Sequence, residues 1–165
     1  MMRSALALVI FGGGLAQTTF PPALRVGDIT PDIPLILVVL LALRRGPELG
    51  CLAGFVTGLL QDAAAGGFIG AQALTKTLIG FFIGQVGGRL WVREPLVQVP
   101  GLVLLSLAEG VARFLLLQIF HFPGSFGDLM LYIVLPQSIY NGFIGAAVVL
   151  TLIGAERLRG GARWR

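Results

Sequence analysis

The 165-residue chain is poor in charge, in cysteine and in histidine. Charged residues make up 12% of it and hydrophobic residues 56%, with a mean hydropathy of +0.89. A soluble domain usually carries roughly 25% charged residues. Half that charge leaves too little polar surface to cover a water-soluble globule, so the bilayer is the natural solvent. One cysteine, Cys51, excludes an internal disulfide; among Gly50, Leu52 and Gly54 it reads as a small packing residue. With one cysteine and one histidine, no metal site of familiar spacing can be assembled, so no metal is expected.

Signatures of catalysis and cofactor binding are absent too, and neither a catalytic residue nor a cofactor is expected. His121 has no nucleophile or carboxylate beside it in a recognisable pattern. The glycine-rich run 66–70 has no Lys-Ser or Lys-Thr at the spacing a phosphate cradle needs. The net charge of +4 does not point to nucleic acid, because the basic residues sit at the ends of apolar segments.

What the chain does hold is six apolar stretches, about 4–20, 31–45, 47–62, 71–88, 100–120 and 129–155. They predict an all-α integral membrane protein, a single transmembrane domain of about six helices. A straight span takes roughly 20 residues, so the second and third stretches are short and need not cross fully. Arg3, Arg44, Arg45, Arg89, Arg93, Arg157, Arg159, Arg163 and Arg165 fall at one set of ends, and only Arg25 at the other. Basic residues collect on the cytoplasmic side, which predicts a multi-pass protein of the cytoplasmic (inner) membrane with both termini inside. Trp91 and Trp164 flank the same side. The opening Met1–Arg3 followed by Gly14-Leu15-Ala16 also resembles a signal peptide, although a first helix already serves as insertion signal. The outer connections, 21–30, 63–70 and 121–128, are too short to fold as domains, and the basic end 156–165 reads as an anchor near anionic membrane lipids.

Two glycine stripes repeat every fourth residue: Gly50, Gly54, Gly58 and Gly80, Gly84, Gly88. That spacing lies on one helix face and allows close backbone approach, to a neighbouring helix or to a partner. Asp62 extends the first stripe and Lys76 begins the second, which predicts an Asp62–Lys76 ion pair or a shared polar cluster with Gln61 and Gln72. Glu109 and Arg113, four apart in the fifth stretch, are placed to neutralise each other. Gln137 and Asn141 mark a polar face on the sixth stretch, next to Pro136, which would kink it.

Pro31-Asp32, then Ala42-Leu43-Arg44-Arg45-Gly46, Gly50, Gly54-Phe55-Val56-Thr57-Gly58-Leu59-Leu60-Gln61-Asp62, Gly70-Ala71-Gln72-Ala73-Leu74 and Gly80 together resemble the rod shape-determining MreD family. The resemblance covers residues 31–93; beyond them only the hydrophobic layout agrees. It implies a non-enzymatic membrane subunit of the elongation (rod) complex that binds MreC and helps organise peptidoglycan synthesis and cell shape. Indirect partners would be MreB, a RodA-type glycosyltransferase and a class B penicillin-binding protein. It also implies a bundle similar to the S-components of energy-coupling-factor transporters. The competing reading is a substrate-binding subunit of a vitamin transporter. Against it, the first helix offers Gly12 and Ala16 but no alanine pair four apart for a coupling protein.

Overall fold

The computed structural model describes residues 2–18, 29–66, 68–87, 95–121 and 125–158. These form helices α1 (Met2–Thr18), α2 (Ile33–Arg45), α3 (Pro47–Ala65), α4 (Ala71–Gly87) and α5 (Pro95–Ile119). A short α6 (Phe126–Leu129) runs through a π-helical turn, Met130–Val134, into α7 (Leu135–Leu158). The described residues thus make six helical rods. Two of these, over Val99–Ile119 and Phe126–Thr151, are long and apolar enough to cross a bilayer. Gly88, both tryptophans and Arg25, Arg89, Arg93, Arg159, Arg163 and Arg165 lie outside the described residues.

α2 is the hub. Its 13 residues span about 20 Å at ~1.5 Å per residue, and it packs against α1, α3, α4, α5 and α7. Leu35 and Val38 are fully buried, and Ile36, Val39 and Ala42 nearly so. Val38 packs with Ile10 of α1 and Ala53 of α3, while Ile36 and Val39 pack with Leu102 of α5. An apolar residue on nearly every side of a helix is what a rod surrounded by other rods requires. Large apolar side chains further out point away from the bundle: Leu8 on α1, Leu104 on α5, and Phe143 and Leu150 on α7 are 59–74% exposed. Such an outer surface suits lipid.

α2 and α3 are joined through Gly46 alone, whose φ of 91° most side chains avoid. Pro47 then opens α3 at the position where a missing N–H costs nothing. α3 ends on Gly66 in the left-handed conformation, the usual glycine stop.

α3 and α4 form the tightest pair in the molecule, antiparallel and in backbone contact. A Cβ added at Gly50 would lie 2.5 Å from the Gly80 carbonyl oxygen, and one at Gly58 would lie 2.5 Å from Ala73 Cα. A Cβ at Gly54 would collide with the Lys76 backbone, and one at Gly84 with Pro47. The described members of both stripes are therefore used up against each other and against the α2–α3 corner. They leave no glycine face here for a separate protein. A second small-residue contact joins α5 to the last rod, where a Cβ at Gly110 would strike Val134, and Cβ atoms at Gly142 and Gly145 would strike Val103 and Leu102.

Several helix ends fall a few residues from the sequence expectation, and two of them involve a proline. α5 begins five residues before Pro100, which sits inside it. The last rod also begins earlier, at Phe126, and meets Pro136 with a π turn. Leu135 N–H donates to Met130 O, five residues back instead of four, and so shifts the ladder immediately before the residue that has no N–H to give.

Candidate functional site

Eight polar side chains from five helices meet at one end of the bundle. The residue at the centre is Lys76, on the second turn of α4 and 0% exposed. It is the only lysine in the chain. Gly54 lies against its backbone, so the side chain leaves α4 sideways, toward α2 and α5. Its Nζ stands 2.7 Å from Asp32 Oδ2 and 3.2 Å from Glu109 Oε1, and donates to Gln72 Oε1 at 3.2 Å. A buried ammonium is tolerated only when it is paired and its donors are used, and all three are accounted for.

Asp32 owes its position to a local signal. It is the N-cap of α2 and accepts from Leu35 N–H at 3.0 Å through Oδ1. The cap leaves Oδ2 facing Lys76, and Gln61 Nε2 of α3 adds a second bond to Oδ1 at 3.2 Å. Asp32 N–H in turn donates to Asn141 Oδ1 of α7 at 2.7 Å, and Asn141 Nδ2 donates to Ser106 Oγ of α5 at 2.7 Å. Glu109 also receives Thr75 Oγ1 at 3.4 Å. The start of α2 is thus tied to α3, α4, α5 and α7. Two more ties hold the segment around it: Gln137 Nε2 donates to Thr30 O at 3.0 Å, and Ile33 N–H donates to Gln17 Oε1 of α1 at 3.2 Å.

Asp62 has a different task from the one its place on the stripe suggested. Its carboxylate does not pair with Lys76. It accepts backbone N–H groups from Gly70 at 2.8 Å, Gln72 at 3.1 Å and Ala73 at 3.1 Å, capping α4 from the end of α3. Helix N-termini expose unpaired N–H groups and attract negative charge, so one carboxylate answers both needs. Glu109 likewise turns to Lys76, away from Arg113 one turn along. Lys76 makes two ion pairs, with Asp32 and with Glu109. Arg113 is instead half-buried and borders a cleft of about 330 Å³, together with Asp32, Gln61, Gln72 and Gln137.

Of the polar residues picked out in the sequence, Gln61, Gln72, Lys76, Glu109 and Asn141 enter the network directly. Asp62, Arg113 and Gln137 lie at its edge. Asp32, Thr75 and Ser106 belong to the network but carried no functional expectation. The signal for Asp32 was its cap position ahead of an apolar helix, which is ambiguous because most caps lie in water.

The chain matches the family model described as rod shape-determining protein MreD over residues 2–155. No curated protein and no solved structure matches it. A match over nearly the whole length, extending well past the motifs of the second to fourth stretches, establishes that the chain belongs to the rod shape-determining protein MreD family.

Proposed function

We propose that this chain is the multi-pass subunit of the cytoplasmic membrane that holds MreC within the rod complex, and so helps place peptidoglycan synthesis along the cell. Membership in the MreD family is the observation that carries this reading. In it, six rods cross the membrane, both termini face the cytoplasm, and the end of the bundle bearing Lys76 faces outward. The chain acts as a scaffold and performs no chemistry. MreB, a RodA-type glycosyltransferase and a class B penicillin-binding protein are reached through MreC. The bundle resembles a transporter S-component in layout only.

The physical arrangement suits a scaffold. Five helices are pinned together at Asp32 and Lys76, and α3 and α4 are in backbone contact. Because the described glycines of both stripes are occupied internally, MreC meets the outer apolar surface, such as that bearing Leu8 and Gly12 on α1, where a Cβ on Gly12 would touch nothing within 4 Å.

Removing the gene from its host should turn rods into rounded cells, and a plasmid copy should restore them. Cells that keep their shape and their rate of wall synthesis without the protein would refute the role. One observation favours the second reading, a transporter's substrate subunit: the polar cleft beside Arg113 has the size of a ligand site. On that reading cell shape would be unaffected and uptake of one nutrient would fail.

A further inference from the structure

The cleft at the polar end of the bundle has a composition that selects its occupant. It measures about 330 Å³, within the ~300–1,000 Å³ range of small-ligand sites. Four carboxamides line it, Gln17, Gln61, Gln72 and Gln137, together with Asp32 and the Arg113 guanidinium. Gln61 is 7% exposed, and its Oε1 is buried without a hydrogen-bond partner among the described residues, while its Nε2 is committed to Asp32. A buried acceptor left unpaired costs free energy that a donor on a ligand would recover.

The charges decide what kind of ligand that is. Asp32 and Glu109 bring two negative charges; Lys76 and Arg113 bring two positive ones. Asp62 is spent on the N–H groups at the start of α4. An anion entering the cleft would gain Arg113 but meet the Asp32 carboxylate on the same wall, and would leave the site with net negative charge. A cation would meet Arg113. Either excess would stand beside the buried Asp32–Lys76–Glu109 cluster, where unpaired charge is costly. Carboxamides and a guanidinium offer donors and acceptors in fixed planes, which match a molecule rich in both. We propose that the cleft binds an uncharged polyhydroxylated ligand of monosaccharide size, held by the carboxamide and Arg113 N–H groups as donors and, once the Gln61 side chain turns toward the cleft, by Gln61 Oε1 as acceptor. The sugar has two possible sources, free solute or the headgroup of a glycolipid.

The test uses the full chain in nanodiscs, because sugar-based detergents would compete. Saturation-transfer NMR is run with methyl β-glucoside, N-acetylglucosamine, methyl phosphate and choline. A parallel set of discs contains a glucosyl diacylglycerol, and its binding is read by native mass spectrometry. The obstructing variant is Ala64→Phe, since Ala64 lines the cleft but is exposed and makes no bond there that Phe would remove. A second variant, Gln61→Met, removes the orphan acceptor at nearly constant size. Uncharged sugar or glycolipid should bind saturably, and both variants should weaken it by about tenfold or more with unchanged thermal unfolding for Ala64→Phe. Binding of the free sugars identifies a solute site; binding of the glycolipid alone identifies a headgroup site. Preferential binding of methyl phosphate or choline overturns the proposal. So does sugar binding that Ala64→Phe leaves intact, or no binding of either form by a protein that unfolds cooperatively. Binding is read on this chain alone, so the outcome does not depend on whether MreC is held.

Discussion

Replacing Lys76 by Met would leave Asp32 and Glu109 buried with no cation between them. At an effective dielectric of about 20, single charges at 2.7 and 3.2 Å attract by about 6 and about 5 kcal/mol before desolvation is counted. Desolvation of the lysine offsets much of that. Measured losses on removing one member of a buried pair are about 3–5 kcal/mol, because the remaining charge stays buried and uncompensated. The same reasoning makes the charge itself dispensable if all of it is removed together. Asp32→Asn keeps an N-cap acceptor for Leu35, and Glu109→Gln keeps an acceptor for Thr75. The triple variant Asp32→Asn, Lys76→Met, Glu109→Gln should therefore regain most of what Lys76→Met loses. Thermal unfolding in nanodiscs, followed by circular dichroism, measures both. A Lys76→Met protein as stable as the parent, or a triple variant no better than the single one, would refute the account of this cluster.

The helix contacts make further predictions, each read by the same unfolding assay. Gly54→Ala places a methyl group against the Lys76 backbone and should destabilise by about 1–3 kcal/mol, whereas Gly12→Ala, with open space around it, should be within about 0.5 kcal/mol of the parent. Asp62→Ala strips three N–H groups of their acceptor and should cost about 2 kcal/mol or more, with Asp62→Asn intermediate. Asn141→Leu breaks the bridge from Asp32 N–H to Ser106 and leaves both buried groups unpaired. It should cost about 2–4 kcal/mol and speed amide exchange at the start of α2.

The all-helical architecture was legible because its signals are local: long apolar runs, proline at Pro47, glycine at Gly46 and Gly66. The partners of the charges were not, because they depend on register between helices. Along α3 each step of four from Gly50 is matched by a step of about four back along α4 from Gly80. Followed to its end, that register carries Asp62 past Lys76 to the first N–H groups of α4. Sharing a stripe therefore placed Asp62 and Lys76 on facing surfaces but at different heights. Glu109 and Arg113 show a related limit. Spacing of four brings two residues to one face of a helix, but a fully desolvated ammonium on the next helix is the stronger claim on a carboxylate. Asp32 stood in the sequence only beside Pro31 at the opening of the second stretch; that it caps α2 while buried at the centre of five helices is a tertiary fact with no signature in one sequence. The π turn before Pro136 is similar: the proline forecasts a break in the ladder, but not that one extra residue per turn would absorb it.

The most direct test of the assembly reading is gentle extraction of a tagged copy from its own membranes, with mass spectrometry of what accompanies it. The account predicts that MreC and wall synthases co-purify, and that Lys76→Met lowers their recovery together with the stability of the bundle. Intact, folded protein that brings down no MreC, or that brings down a pair of ATPases instead, would contradict it.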